Sequence, residues 1–381
     1  MTPTPFTIHV PDTVLADLRS RLDRVRWPDE VPEGGWRYGT DLSYLKSLVA
    51  YWRDKYDWRT QEAALNRWRQ FTVGVDGIDL HFVHEPGVGP APLPLLLSHG
   101  WPGSVVEFQR LIPLLTDPGR FGGDPADAFT VVAPSLPGYA FSFRANQPRY
   151  GVTGIAGLFA RLMTDVLGYR SFAAQGGDWG GFIVSRLGYA YPQAVVGIHL
   201  NLLAVRRDVA PAAASSEEEL QFAEELRHWQ REASGYISIQ GTRPQTLAYG
   251  LTDSPVGLAA WIVEKFRDWS DCGGDIERRF SKDVLLTNIM LYWVTGAIGS
   301  SFWPYYDRLH EPWPIPAGER IPVPAGYAEF PREILHPPRS LAERMYNIRR
   351  WTRMPSGGHF AALEEPELLA ADIRAFFRTL R

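Results

Sequence analysis

Residues 171–181 read SFAAQGGDWGG. SFAAQ reads as a short strand, and it runs straight into Gly176-Gly177-Asp178-Trp179-Gly180, with a helical pattern starting just after Asp178. So abrupt a passage from strand to helix needs neighbours without bulk, which Gly176, Gly180 and Gly181 supply. The turn lifts one side chain above the end of a sheet, at a helix N-terminus, where free N–H groups and the helix dipole favour an anion. Its glycine spacing is that of G-x-S-x-G, a turn that carries a nucleophile, with aspartate in place of serine. An aspartate there also suits a plain helix cap, and this stretch alone leaves both roles open.

Strands of the same kind recur between helical patterns. PLLLSHG, from Leu93, is a continuously apolar strand that stops at His99-Gly100; AFTVVAPSLPG (128–138) and VVGIHL (195–200) are two more. Helices are predicted over about 105–115 and 153–168 and just after Asp178. This alternation predicts an α/β fold with a mostly parallel sheet and helical crossovers. The first part of that core is assigned to residues 91–204.

Residues 1–90 read differently, as a helical arm ending in a hairpin. FTIHV (6–10) looks extended; a helix from Asp12 puts Leu15, Leu18, Leu22 and Val25 on one face and stops at Trp27-Pro28. Further helices are predicted near Asp41 and over 59–68, before FTVGVDGIDLHFV, two strands joined at Asp76-Gly77. Residues 205–312 lack strand character and predict a helical lid, with the acidic run 217–219 as a solvated helix start. The core resumes over 313–381, with strands at 321–330 and about 346–352 and a last helix carrying Leu369, Ile373, Phe376 and Leu380.

Bulk composition excludes several classes. The 381 residues suffice for one large capped domain or for two. With 39 basic and 43 acidic residues, a net charge of −4 and no basic patch, nucleic acid is not an expected partner. Cys272 is the only cysteine, which precludes an intrachain disulfide, and no thiol-activating motif surrounds it. MTPTPFTIHVPD lacks the pattern of a signal peptide, and the longest apolar stretch, 195–205, contains His199 and Asn201 and falls far short of the roughly 20 residues that span a bilayer. Aromatics reach 13%, with 14 Trp, which suits core packing or an aromatic-lined pocket.

Two stretches bear on Asp178. His99-Gly100-Trp101-Pro102-Gly103 directly follows a buried strand. In an α/β-hydrolase the corresponding loop supplies one oxyanion-hole N–H and the residue after the nucleophile the other, here Trp101 and Trp179. Gly357-Gly358-His359-Phe360 places a histidine on a glycine-flanked loop late in the chain. Nucleophile, acid, histidine is the chain order of that fold's triad. For the acid, Glu333 in AEFPREILH follows a late strand, whereas Glu364, Glu365 and Glu367 crowd His359 along the chain and suit a helix start. Asn201, after VVGIHL, carries no charge.

Taken together, HGWPGS, QGGDWGG, FPREILH and GGHFAALEEPELLA resemble the microsomal-type epoxide hydrolases of the α/β-hydrolase superfamily. So do FTIHVPDTVLADLRSRLDRVRWPDE, ASGYISIQGTRPQT and DSPVGLAAWIVEKF, and the resemblance covers nearly the whole chain. It implies Asp178 as nucleophile, His359 as base, Glu333 as triad acid, and Tyr236 and Tyr305 as the lid tyrosines that hold the epoxide oxygen. SSFWPYYDR departs from the family pattern and sets Tyr306 beside Tyr305. It further implies an epoxide and water as substrates, no cofactor or metal, no membrane or nucleic-acid partner, and a possible homodimer. The membrane-anchoring helix of the microsomal enzymes has no counterpart in this sequence, so a soluble, cytoplasmic enzyme is expected.

A carboxylate in the elbow makes chemical sense. With an ordinary pKa of about 3.9 it is already ionised, and it attacks saturated carbon in line to leave an alkyl ester. A histidine then activates water against that ester. Halide and epoxide oxygen are both candidate leaving groups; the basic alkoxide wants an acid beside it, and a tyrosine of pKa about 10 suits that. A haloalkane dehalogenase with the same Asp-His pair is the alternative enzyme, and a non-catalytic binder of a small apolar ligand the alternative of another class.

Overall fold

The computed structural model describes residues 2–205 and 216–381. Its strands are β1 (Thr4–Phe6), β2 (Gln70–Val75), β3 (Ile78–Glu85), β4 (Leu93–Ser98), β5 (Phe129–Pro134), β6 (Phe172–Gly176), β7 (Val195–Leu200), β8 (Ile321–Glu329) and β9 (Tyr346–Arg353). Among the described residues they form one sheet in the order β1-β2-β3-β5-β4-β6-β7-β8-β9. Pairing is antiparallel from β1 to the β3–β5 contact and parallel from there to β9. The parallel strands β4, β5, β6 and β7 are buried almost throughout, as strands covered by helices on both faces must be.

The hairpin β2–β3 turns at Asp76-Gly77 as the sequence predicts. FTIHV does not pair along its length. The strand covers only Thr4–Phe6, and the N–H groups of Ile8 and Val10 donate instead to Asn66 Oδ1 (2.8 Å) and Glu62 Oε1 (2.7 Å). The helix from Asp12 ends at Asp23, short of Trp27-Pro28, with Leu18 and Leu22 buried. The helix expected over 105–115 is broken into a 3-10 turn, Val105–Phe108, and a short helix, Leu111–Thr116. Pro113 has no N–H to give, so it sits in the first turn of the second piece, where none is needed.

Between β7 and β8 come the helices Glu217–Glu232, Gly235–Thr242, Pro244–Asp253, Pro255–Asp268, Lys282–Thr295 and Trp303–His310; residues 206–215 of the expected helical insertion lie outside the described residues. The acidic run is not wholly solvated. Glu217 and Glu218 are exposed, but Glu219 is buried and accepts from Arg344 (2.6 Å) and Ser340 Oγ (2.8 Å). The N-terminal arm braces this helical segment. Arg21 donates to the carbonyl and carboxylate of Asp253, Thr40 Oγ1 to Ala260 O, and Tyr51 to Asp283. Helix Pro366–Phe377 buries Leu369, Ile373 and Phe376, leaving Leu380 partly covered in the 3-10 turn beyond. Cys272 is buried.

Candidate active site

Asp178 opens helix Asp178–Ala190 immediately after β6, at φ +47°, a left-handed conformation unusual for a residue with a side chain. The turn is tight enough to forbid bulk. A Cβ on Gly180 would lie 1.9 Å from Ser98 O at the end of β4, and one on Gly100 would lie 2.2 Å from Asp178 Oδ1. This close approach brings the His99–Gly103 loop onto the carboxylate: Trp101 N–H donates to Asp178 Oδ1 at 2.7 Å. The Trp179 N–H lies in the first turn of the helix, where no carbonyl four residues back serves it.

Neighbouring parallel strands deliver the other two groups. Glu333 follows β8 and His359 follows β9, and Arg332 N–H donates to Gly357 O (3.1 Å), tying the two turns together. His359 Nδ1 lies 2.6 Å from Glu333 Oε1 and its Nε2 lies 3.5 Å from Asp178 Oδ2. Glu333 is buried; its Oε1 also accepts from Ile334 N–H (2.7 Å), and its Oε2 has no partner among the described residues. Burial by itself would lower the His359 pKa, but the Glu333 and Asp178 carboxylates outweigh it and hold the imidazole up to about 10. The backbone N–H of His359 donates to Trp269 O (2.8 Å), and its ring packs edge-on against the Trp269 indole at 5.1 Å.

Tyrosines from the helical segment close over the elbow. Tyr236 stacks on Trp101, the ring centroids 5.6 Å apart and 11° from parallel. Tyr305 stands edge-on to Trp179 at 4.8 Å and to Trp101 at 5.7 Å, and 5.8 Å from Tyr236. Tyr306 turns away, stacking on Trp303 and His310. Burial, reinforced by Tyr236 and Asp178, holds the Tyr305 hydroxyl well above the ordinary tyrosine range, so it keeps its proton.

All the residues singled out in the sequence, Asp178, His359, Glu333, Tyr236, Tyr305, Trp101 and Trp179, meet in this one place, but a further acid was not foreseen. Glu107 lines the same cavity as Asp178 and His359, about 20 Å³, the size of one water molecule. Burial pushes its carboxyl up to about 8, with the His359 charge pulling down and Asp178 pushing up. The pattern Ser104-x-x-Glu107, a capping box, was the available signal: Ser104 Oγ accepts from Val106 N–H, and Glu107 accepts from the Ser104 backbone. Glu364 stays out of the site and braces it, accepting from the N–H groups of Asp271 (2.8 Å) and Phe360 (3.1 Å).

Comparison with known proteins bears on what such a site does. A family model for the epoxide hydrolase N terminus matches residues 3–108, and one for the α/β hydrolase fold matches residues 94–254. Epoxide hydrolase 1 of Oryctolagus cuniculus is 39% identical over 400 residues, covering 98% of this chain and 88% of that protein. The chain belongs to the epoxide hydrolase family.

Solved epoxide hydrolases share its fold end to end. The juvenile hormone epoxide hydrolase of the silkworm Bombyx mori superposes with a TM-score of 0.88 at 30% identity, covering 100% of this chain and 95% of that one. The Aspergillus niger epoxide hydrolase gives 0.87 at 31% identity, covering 100% and 97%. The α/β-hydrolase fold expected from the sequence is thus the fold of this epoxide hydrolase, and hydrolysis of an epoxide is its reaction. Membership in the family decides against the dehalogenase and the non-catalytic binder. Among the described residues no single helix is long and apolar enough to cross a membrane.

Proposed function

We propose that this epoxide hydrolase works through a covalent ester on Asp178. The observation that carries the reading is the division of labour between the two carboxylate oxygens: Oδ1 is held by the Trp101 N–H, while Oδ2 faces His359. Oδ2 attacks an epoxide carbon, the carbon–oxygen bond opens, and the leaving oxygen takes a proton from Tyr236 or Tyr305. The imidazolium of His359 returns a proton to the tyrosine through solvent and becomes neutral. His359 then takes a proton from water as that water attacks the ester carbonyl. The oxyanion forms at Oδ1, on the Trp101 and Trp179 N–H groups; donors of this kind are worth about 3–4 kcal/mol each. Collapse transfers the remaining proton to the departing alkoxide, releasing a vicinal diol and restoring the carboxylate. Glu333 orients His359 and stabilises its cation. Glu107, its carboxyl pushed up by burial to about 8, borders the cavity from which the water would attack.

In this reading residues 1–90 are an arm, 91–204 and 313–381 the core, and 205–312 a lid that brings Tyr236 and Tyr305 over the nucleophile. The high aromatic content, 13% with 14 Trp, suits a bulky or aryl epoxide, in detoxification or biosynthesis. Cytoplasmic location and a homodimer belong to the same proposal and are checked by fractionation and by sizing in solution. Single turnover in heavy-oxygen water, with enzyme in excess, tests the chemistry: the diol should carry no label and the Asp178 carboxyl should gain it. Label in the first-turnover diol would exclude the ester.

A further inference from the structure

Lys265 is a buried cation that the reaction above leaves unused. It lies on helix Pro255–Asp268, and its side chain is 7% exposed. Its Nζ sits over three rings at once: Tyr236 at 4.9 Å from the centroid, Trp261 at 5.4 Å and Trp269 at 6.0 Å. Cations are rarely buried so completely without a specific reason. Trp261 is itself fixed, its Nε1 donating to the buried Gln240 Oε1 at 2.9 Å.

The charge is not cancelled where it matters. Glu264 pairs with Lys265 at 2.7 Å and Asp268 lies close enough to feel its charge, but their side chains are 26% and 47% exposed, so water screens both carboxylates more than the ammonium. The groups facing Tyr236 include Trp101 from the loop after β4, Tyr305 from helix Trp303–His310, Trp269 just past helix Pro255–Asp268, and Lys265 from that helix. His359 stands one ring further away, across Trp269. As Tyr236 gives up its proton its oxygen gains negative charge, and a cation against the same ring stabilises that charge more than the neutral phenol.

We propose that Lys265 is a positioning residue for the first chemical step, its ammonium making Tyr236 a stronger proton donor to the opening epoxide oxygen. The inference rests on the reading of Tyr236 as an acid. It concerns ester formation alone, because ester hydrolysis uses His359 and the two backbone donors.

Styrene oxide in single-turnover mixing, with ester formation and ester hydrolysis resolved as separate phases, tests it. Lys265→Met should slow ester formation about tenfold and leave ester hydrolysis unchanged; general damage to the lid would slow both. Lys265→Arg, which keeps the charge, should restore most of the rate, and Glu264→Gln, which removes the paired carboxylate, should not slow ester formation. In a Tyr236→Phe background, Lys265→Met should have no further effect. If it still slows ester formation tenfold there, Lys265 does not act through the phenol and the inference fails alone. If Tyr236→Phe itself leaves ester formation unchanged, the acid role of Tyr236 fails and carries this inference with it.

Discussion

Oδ2 of Asp178 lies 3.5 Å from Nε2 of His359, and the charge on the first decides whether the second can act as a base. Beside the Asp178 and Glu333 carboxylates the imidazole is held up to about 10 and is protonated at neutral pH, with no lone pair on Nε2 to accept from water. Esterification of Asp178 removes one of those two charges, and the His359 pKa falls. In the proposed mechanism, base strength therefore arrives with the intermediate that needs it. His359→Gln leaves Asp178 free to attack but removes the base. The variant should accumulate an ester stoichiometric with enzyme, seen as an intact-mass gain of one substrate, and turnover should fall by about 10²–10⁴. An enzyme of unchanged mass after prolonged exposure to styrene oxide would count against the sequence of steps.

The same coupling makes stability depend on pH. The folded pKa of His359, about 10, lies above the ordinary value of 6.5. Its contribution to stability is then fully present below about pH 6.5 and is lost as pH rises through about 10, since between those values the folded state holds a proton that the unfolded state has released. The unfolding free energy should fall by roughly 1.4 kcal/mol per pH unit from this group across that window. Denaturant titrations from pH 6 to 10 should show a steeper decline in the native protein than in His359→Gln.

The packing of the elbow yields a steric prediction. Gly180→Ala would set a methyl 1.9 Å from Ser98 O and 2.9 Å from His99 O, backbone atoms at the root of the loop that donates to Asp178. The loop must shift, taking the Trp101 N–H with it. About 1–3 kcal/mol of stability should be lost, and ester formation should slow about a hundredfold as alignment is lost. Gly250→Ala is the control: a Cβ there meets nothing within 4 Å, and helix Pro244–Asp253 should gain about 0.5–1 kcal/mol. Melting temperatures and single-turnover rates of the two variants should move apart.

The parts of this architecture readable in the sequence are those encoded locally. Glycine spacing around Asp178, the strand stop at His99-Gly100 and the hairpin at Asp76-Gly77 each depend on backbone constraints within a few residues. The Glu333–His359 pair depends instead on β8 and β9 lying side by side, which no local pattern states; chain order and a late strand made both residues candidates, whereas Tyr236 and Tyr305 came from the family resemblance alone. Glu219 reads as solvated because its partner Arg344 is 125 residues away. FTIHV looks extended, and nothing in it announces that Glu62 and Asn66, not a neighbouring strand, will take the N–H groups of Ile8 and Val10. Glu107 sits in a recognisable cap, but its place beside Asp178 and His359 and its raised pKa come from burial, which only the assembled fold provides.

Tyr236 and Tyr305 reach the site from different helices, Gly235–Thr242 and Trp303–His310, and their rings meet at 5.8 Å over Trp101. In the proposed mechanism both donate to one leaving oxygen, so each can cover for the loss of the other. Tyr236→Phe and Tyr305→Phe should therefore each slow ester formation by about tenfold to a hundredfold, while the double variant should lose it almost entirely, since an alkoxide without a proton donor is a poor leaving group. The rings survive both substitutions, so the aromatic packing on Trp101 and Trp179 persists and unfolding curves should be nearly unchanged. Tyr306→Phe should be silent, because that ring stacks on Trp303 and His310 instead. Single-turnover ester formation across the four variants separates these outcomes, and a Tyr306→Phe defect as large as that of Tyr305→Phe would reverse the assignment within the pair.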